Sequence, residues 1–332
     1  MFKRVSLRNC LVFGSTTFLL LIALVGYGNA EIVLRLGHDN QLISPTHVTA
    51  AKWAQLISER AGGKVTIKIY PQGQLGGEKS FVEQLRLGTV DATIVAHNVI
   101  VGFVPEFQAI TLPFAFKDYD HAYKFLNGAG GTALLNKLET IGIKGMGFIN
   151  TGFRSIGNNI RPLYKPEDLK GIKIREIPDP LALAAVSAMG ANAVPIPWGE
   201  VISALEQKTI DGVSTGNSYY WSARLYDYTK YFSYTNHLYT SNVVLMSLQS
   251  FNRLPKDLQE IVAKTAIDSL PDGWKSVADT EANLTKNLEG KGIKVNTVDP
   301  KPFKEKVEHL WKEYEPKIGK ELVDEVKKAI AK

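Results

Sequence analysis

The sequence predicts an α/β protein built as two lobes. Three observations carry this. Segment 31–96 reads strand, helix, strand, helix, strand, the pattern of helices packed on a mostly parallel sheet. A helix–turn–strand unit of that segment recurs 120 residues further on. The chain behind its first thirty residues is about 300 residues long, which suits two lobes better than one.

Residues 1–30 have the chemistry of a secretory leader. Lys3, Arg4 and Arg8 make a basic start, Leu11 to Val25 is apolar, and Gly28-Asn29-Ala30 offers small residues before Glu31. The apolar run is shorter than the roughly 20 residues of a bilayer span; the alternative is an uncleaved anchor. Cys10, the one cysteine, precedes the apolar run, so it does not resemble a lipid-modified residue at a cleavage site. Loss of the leader takes the formal charge from +6 to +3 and leaves no cysteine. The exported protein is therefore expected to stand on its core without disulfides. Its basic residues are spread too thinly for nucleic acid.

The elements follow in order. E-I-V-L-R-L-G-H (31–38) is apolar enough for a buried strand, and Ser44-Pro45-Thr46 opens a helix that Ala61-Gly62-Gly63 stops. V-T-I-K-I-Y (65–70) alternates with period two, the segment 79–87 is helical, and D-A-T-I-V-A (91–96) is a strand. Helices are expected at 118–127 and 131–140, and a strand at 145–150. G-I-K-I-R-E (171–176) is a strand, 181–189 a helix, and A-V-P-I-P (193–197) is extended. F-V-E-Q-L-R-L-G-T-V-D-A (81–92) and V-I-S-A-L-E-Q-K-T-I-D-G (201–212) are the two copies of the echo; the alternative is chance likeness of two helix–strand junctions. An aromatic-rich helix follows Asn217, and 243–248 is strand-like. A long helix is expected from Pro255 to about Leu288, kinked or split at Pro271. A short strand at 292–296 precedes two solvated helices over 304–332.

The sequence holds no HExxH and no P-loop. G-A-G-G-T-A (128–133) follows a helix and not a strand, so it fails the context of a dinucleotide loop. Of the six histidines only His38 and His47, with Asp39, come near metal spacing, and hydrogen-bonded structure explains them better. This favours binding over turnover, with no catalytic residue, metal or cofactor implied.

Two arginines stand out. In 171–176, Ile172 and Ile174 share one strand face and Lys173 and Arg175 the other, with Pro178 ending the run. Arg175 is thus expected at the carboxyl end of a strand, where open α/β sheets bind ligands. Arg154, just after the strand 145–150, is expected at the same rim. A guanidinium fork meets a carboxylate through two parallel hydrogen bonds. The alternative for each arginine is a surface ion pair, and for Trp198 and Tyr219 a place in the core.

At these residues the chain resembles the solute-binding subunit of tripartite ATP-independent periplasmic (TRAP) transporters, of the C4-dicarboxylate/sialic-acid-binding type. The resemblance covers nearly all of 31–320. It rests on Y-P-x-x-Q-L-G (70–76), G-x-x-D (88–91), L-P-F (112–114), G-x-R (152–154) and D-L-K-G-x-K-x-R (168–175). M-G-A (189–191), E-V-x-x-A-L (200–205), x-D-G (210–212) and T-N-H (235–237) continue it.

The resemblance implies a two-lobed periplasmic binding protein fold, type II-like, with a hinge and a long helix spanning both lobes. The expected division is 31–151 plus 241–280 for the first lobe and 152–240 plus 281–332 for the second. It implies that Arg175 clamps a ligand carboxylate, that Arg154 assists, and that Trp198 lies against the ligand. Asp39, Glu78 and the segment around Ala96 and His97 match first-lobe contact positions. Thr215 stands where sialic-acid binders have Asn, with Asn217 two residues on, and Ala96 stands where they have Glu. These departures point away from sialic acid to a smaller or more apolar organic acid. The implied partners are that acid and the small and large membrane subunits of the transporter, with the binding protein a periplasmic monomer. The alternatives are a binding protein for an ATP-driven transporter or for a sensor and, less favoured, a secreted α/β enzyme.

Overall fold

The computed structural model describes residues 31–331, so the leader and Cys10 lie outside the described residues. Nine strands form the sheet: β1 (Ile32–Gly37), β2 (Val65–Tyr70), β3 (Ala92–Ala96), β4 (Ile143–Asn158), β5 (Lys173–Glu176), β6 (Asn192–Pro195), β7 (Gly212–Gly216), β8 (Tyr231–Ser247) and β9 (Lys294–Thr297). Their order is β2-β1-β3-β8-β4-β7-β5-β6, with β9 on β8. The outer strands run parallel within each half, β1 with β2 and β3, and β5 with β6 and β7. The two central strands are antiparallel to each other.

These central strands join the halves. The end of β8, 242–246, pairs with β3, whereas the end of β4, 154–158, pairs with β7. Each strand therefore starts in one half and finishes in the other. The strands expected from the sequence cover only part of each. Strand 145–150 is the first portion of a 16-residue strand, and 243–248 the last portion of a 17-residue one. Both strands are buried on both faces over most of their length, so neither shows the alternation that marks a half-exposed strand.

The echo is a repeated structural unit. Its two helices end in left-handed residues, Gly88 and Lys208. Thr89 N–H then donates to Gln84 O and Thr209 N–H to Ala204 O, both at 3.0 Å. Asp91 Oδ2 accepts from Arg35 N–H of β1 at 2.8 Å, and Asp211 Oδ2 from Lys173 N–H of β5, also at 2.8 Å. In each half the aspartate thus ties a strand entrance to its parallel neighbour.

The long helix Lys256–Glu281 packs on helix Pro45–Arg60, on β4 and on helix Asn217–Ser222, so it spans the halves. It runs unbroken through Pro271, and the split falls instead at Ala282–Asn283. Pro271 is exposed, and so is Ile267, whose carbonyl loses its helical donor. Water can satisfy that group. The tail forms three helices, Pro300–Val307, His309–Ile318 and Lys320–Ala331, where two solvated ones were expected. Phe303, Leu310, Tyr314 and Val323 are buried in it. The last helix packs on helices Tyr119–Leu126 and Ala129–Lys137, so the tail crosses to the first half and 281–332 is not confined to the second.

The first-half core gathers Leu36, Trp53, Ile94 and Val262 around the long helix; the second gathers Val201, Val213, Tyr220 and Phe232. Gly273 permits the close approach of the long helix, because a Cβ there would collide with Thr49 and crowd Ile149. Gly273→Ala is expected to destabilise the protein by about 1–3 kcal/mol through overpacking. Urea unfolding checks this, with a lowered midpoint and an unchanged slope.

Candidate functional site

The halves meet over a small cavity. Its lining includes Asn40, Glu78 and Asn242 from the first half and Arg154, Arg175, Thr215 and Tyr219 from the second, with Trp198 at one side. The cleft is shut in this arrangement. The Tyr219 hydroxyl bonds Thr46 Oγ1 across it at 2.6 Å, and Asn242 Nδ2 donates to both Thr46 Oγ1 (2.8 Å) and Tyr219 Oη (3.2 Å). A second tie holds the buried Asp179 carboxylate of one half to Asn98, Gln108 and Thr111 of the other.

Arg175 sits near the end of β5, where Ile174 anchors the strand in the core. Its Nε donates to Ile196 O at 2.8 Å, which fixes the plane of the guanidinium. The guanidinium carbon lies 5.7 Å from the Trp198 ring centroid, within cation–π range. Nη2 is buried and has no hydrogen-bond partner. Burial and the like charge of Arg154 push the group down to about 10, so it stays charged at neutral pH. The site thus holds an almost wholly buried cation with a free donor, and an anion is what satisfies both.

Arg154 is placed differently from the expectation. It lies inside β4, paired with Gly216 of β7 and Leu238 of β8, and not beyond a strand end. Its Nη2 forms a buried ion pair with Glu176 and donates to Ser214 O at 2.6 Å, and its Nε reaches Ser214 Oγ at 3.3 Å. One edge still lines the cavity. Its main partner is a protein carboxylate.

Glu78 and Asp39 face these arginines. Glu78 Oε1 accepts from Ala96 N–H at 2.9 Å. Burial raises the Glu78 carboxyl, against the pull of that N–H and of both arginines. Burial raises Asp39 well above its usual range, and Glu78 raises it further. Asp39 belongs to a wider vestibule, which Glu78 and Trp198 also line. Among the described residues no group of three His, Cys, Asp or Glu is placed to hold a metal, and His38 Nε2 bonds His47 Nδ1 at 3.0 Å.

Three candidates do not line the cavity: Asp39 stands in the vestibule, and His97 and Asn217 are turned away. His97 is buried behind it, with Nε2 on Thr111 Oγ1 (2.8 Å) and Nδ1 on the Ser241 backbone. Burial pushes it down to about 3, so it is neutral. Asn217 is also buried, turned toward Glu281 at the end of the long helix. The cause is the same in both halves. Ala96 and Gly216 end β3 and β7 at the cavity wall, and the next residue begins a helical turn that carries its side chain away. Asn40, Thr151, Thr240 and Asn242 line the cavity unforeseen. The last three lie on the central strands, in portions where β4 and β8 cross between halves.

The sequence profile of bacterial extracellular solute-binding proteins, family 7 (DctP), matches residues 36–317. The chain belongs to this family. It is 31% identical over 294 residues to the 2,3-diketo-L-gulonate-binding periplasmic protein YiaO of Escherichia coli, covering 87% of this chain and 90% of that one. The crystal structure of the sugar acid binding protein DctPAm of Advenella mimigardefordensis, in complex with galactonate, superimposes with a TM-score of 0.87 at 32% identity, covering 90% of this chain and 99% of that one. A TRAP periplasmic solute binding protein of Sulfurospirillum deleyianum with bound succinate does so with a TM-score of 0.85 at 27% identity, covering 90% and 99%. The two-lobed binding protein fold and the TRAP class are thereby shown for this family member.

The geometry separates the two arginines by their partners. Arg154→Leu is expected to destabilise the fold by about 3–5 kcal/mol, because it strands the buried Glu176 carboxylate. Pairing it with Glu176→Leu should recover most of the loss. Denaturant unfolding of the single and double variants measures both.

Proposed function

We propose that this protein is the extracytoplasmic solute-binding component of a TRAP transporter, and that it captures a hydroxylated organic acid through one carboxylate on Arg175. The observation that carries the reading is the buried, unpartnered Nη2 of Arg175 in a cavity walled by both halves. Thr215 and Trp198 complete the second-half wall, and Arg154 holds the strands around Arg175. Glu78 and, at the vestibule, Asp39 receive hydroxyl donors. A polar lining of Asn40, Thr151, Thr240 and Asn242 suits a hydroxylated body better than an apolar one. A second ligand carboxylate would meet the Glu78–Asp39 pair, which favours a hydroxy acid over a dicarboxylate. Relatives named for diketogulonate and galactonate support this, and the one with succinate marks the competing class.

In the reading's mechanism the open cleft admits the acid, and contacts available only when it is shut draw the halves together. The moving bodies are proposed as 31–151 plus 241–280, and 152–240 plus the chain from 281, with the tail packed across both. The closed form then docks on integral membrane subunits. The leader would take it to the periplasm, where it is proposed to act as a monomer.

A thermal-shift comparison of galactonate, succinate and galactonamide tests the ligand class. Galactonate at a hundred times its dissociation constant is expected to add about 2.7 kcal/mol of stability. Galactonamide should add none, and succinate should bind at least about tenfold more weakly, a difference of about 1.4 kcal/mol. Arg175→Lys is expected to weaken galactonate binding by about tenfold to a hundredfold, the worth of a charge-assisted hydrogen bond of about 1.5–3 kcal/mol, with the fold intact. A panel in which no carboxylate moves the midpoint contradicts the proposal.

A further inference from the structure

The two long strands and the long helix pass between the halves at one place, and a single carboxyl group occupies it. Glu281 is the last residue of helix Lys256–Glu281. Its Oε2 accepts a hydrogen bond from the Tyr119 hydroxyl of the first half. It lies against Gly152, in the middle of β4, where φ is +99° and the β4–β8 register slips. A Cβ at Gly152 would come within 2.8 Å of Glu281 Oε1 and 3.2 Å of Tyr119 Oη. The Asn217 side chain, on the first helical turn after β7, adjoins it from the second half. Tyr239 of β8 also feels its charge. Four elements from both halves thus converge on one carboxyl.

That carboxyl is poorly provided for as an anion. Oε1 is buried and has no hydrogen-bond partner, and neither has Asn217 Oδ1. The groups that face it from the packed elements are Tyr119, Tyr239 and Tyr234, each with its phenol raised above the usual range by burial. Among the described residues no lysine, arginine or histidine pairs with it; on its own helix Lys275 pairs with Asp279 in solvent. A buried carboxylate without a cation is costly, and its neutral form is not.

The geometry points to Glu281 as a proton-controlled catch of the hinge: protonated, it fits the shut arrangement, and ionised, it favours the parted one. Burial supports the same direction, since it raises Glu281 from 4.5 to about 7 against the Tyr119 hydrogen bond. The sign follows from linkage. The shut form holds this proton more tightly than a form in which the carboxyl meets water. Its advantage is complete below about 4.5 and is lost as pH rises through about 7. Closure then takes up a proton near neutrality, at a group outside the cavity lining. The inference rests on the halves moving about this seam, and not on which acid fills the cleft.

Spin labels on the cysteine-free chain lacking 1–30 test it. Leu42→Cys at the lip of the first half and Gln207→Cys on the second, both exposed, report the separation of the halves. Without ligand, the short-distance population is expected to fall as pH rises through the window between about 4.5 and 7, and Glu281→Gln is expected to keep it high throughout. Carbon NMR of the wild-type Glu281 carboxyl, assigned by difference from Glu281→Gln, should titrate near 7. A midpoint below 5, or the same pH response in wild type and Glu281→Gln, overturns the catch. Distances that shift with galactonate but not with pH overturn the catch alone. Distances that never shift overturn the hinge motion and the catch together.

Discussion

A guanidinium buried with one nitrogen unpaired is the constraint around which this molecule is arranged. Arg175 is held in plane by the Ile196 carbonyl and faced by Trp198, and its free Nη2 has no protein acceptor. Such a group is costly to bury, and the neighbouring structure bears that cost. Arg154 is neutralised by Glu176, which leaves Arg175 as the cation without a partner carboxylate in hydrogen-bond contact. The Glu78 and Asp39 carboxyls, both raised by burial, make no hydrogen bond to it. The anion the site lacks is the one the ligand brings.

The sheet explains how such a site can open. A pocket sealed within one core would need unfolding to admit a solute. Here the walls belong to two half-sheets joined by β4 and β8, and bending those strands parts the walls without breaking either core. The bonds across the cleft are few and polar, Thr46 with Tyr219 and Asp179 with its three donors. Water can replace each of them, so the shut and parted forms need differ by only a small free energy.

Much of this was legible in the sequence. Arg175 announced itself as a charge in an apolar strand closed by Pro178, and the echo showed two units because its turns and aspartates recur in register. The rest was hidden for definable reasons. Thr151, Thr240 and Asn242 sit on strands buried on both faces, so no alternation marked them. Arg154 looked like a rim residue because half of its strand went unseen. His97 and Asn217 were sought at the right strand ends but lie one residue past the wall, where a helical turn redirects them. Pro271 promised a break, yet it lies on the exposed side of the helix, where its missing hydrogen bond matters least.

The most direct measurement is a crystal structure of the chain with bound galactonate. The account predicts its carboxylate on Arg175, with Nη2 within hydrogen-bond distance, and its hydroxyls reaching Glu78, the halves shut around it. A ligand whose carboxylate lies away from Arg175, or that sits in the vestibule touching one half only, would contradict the account.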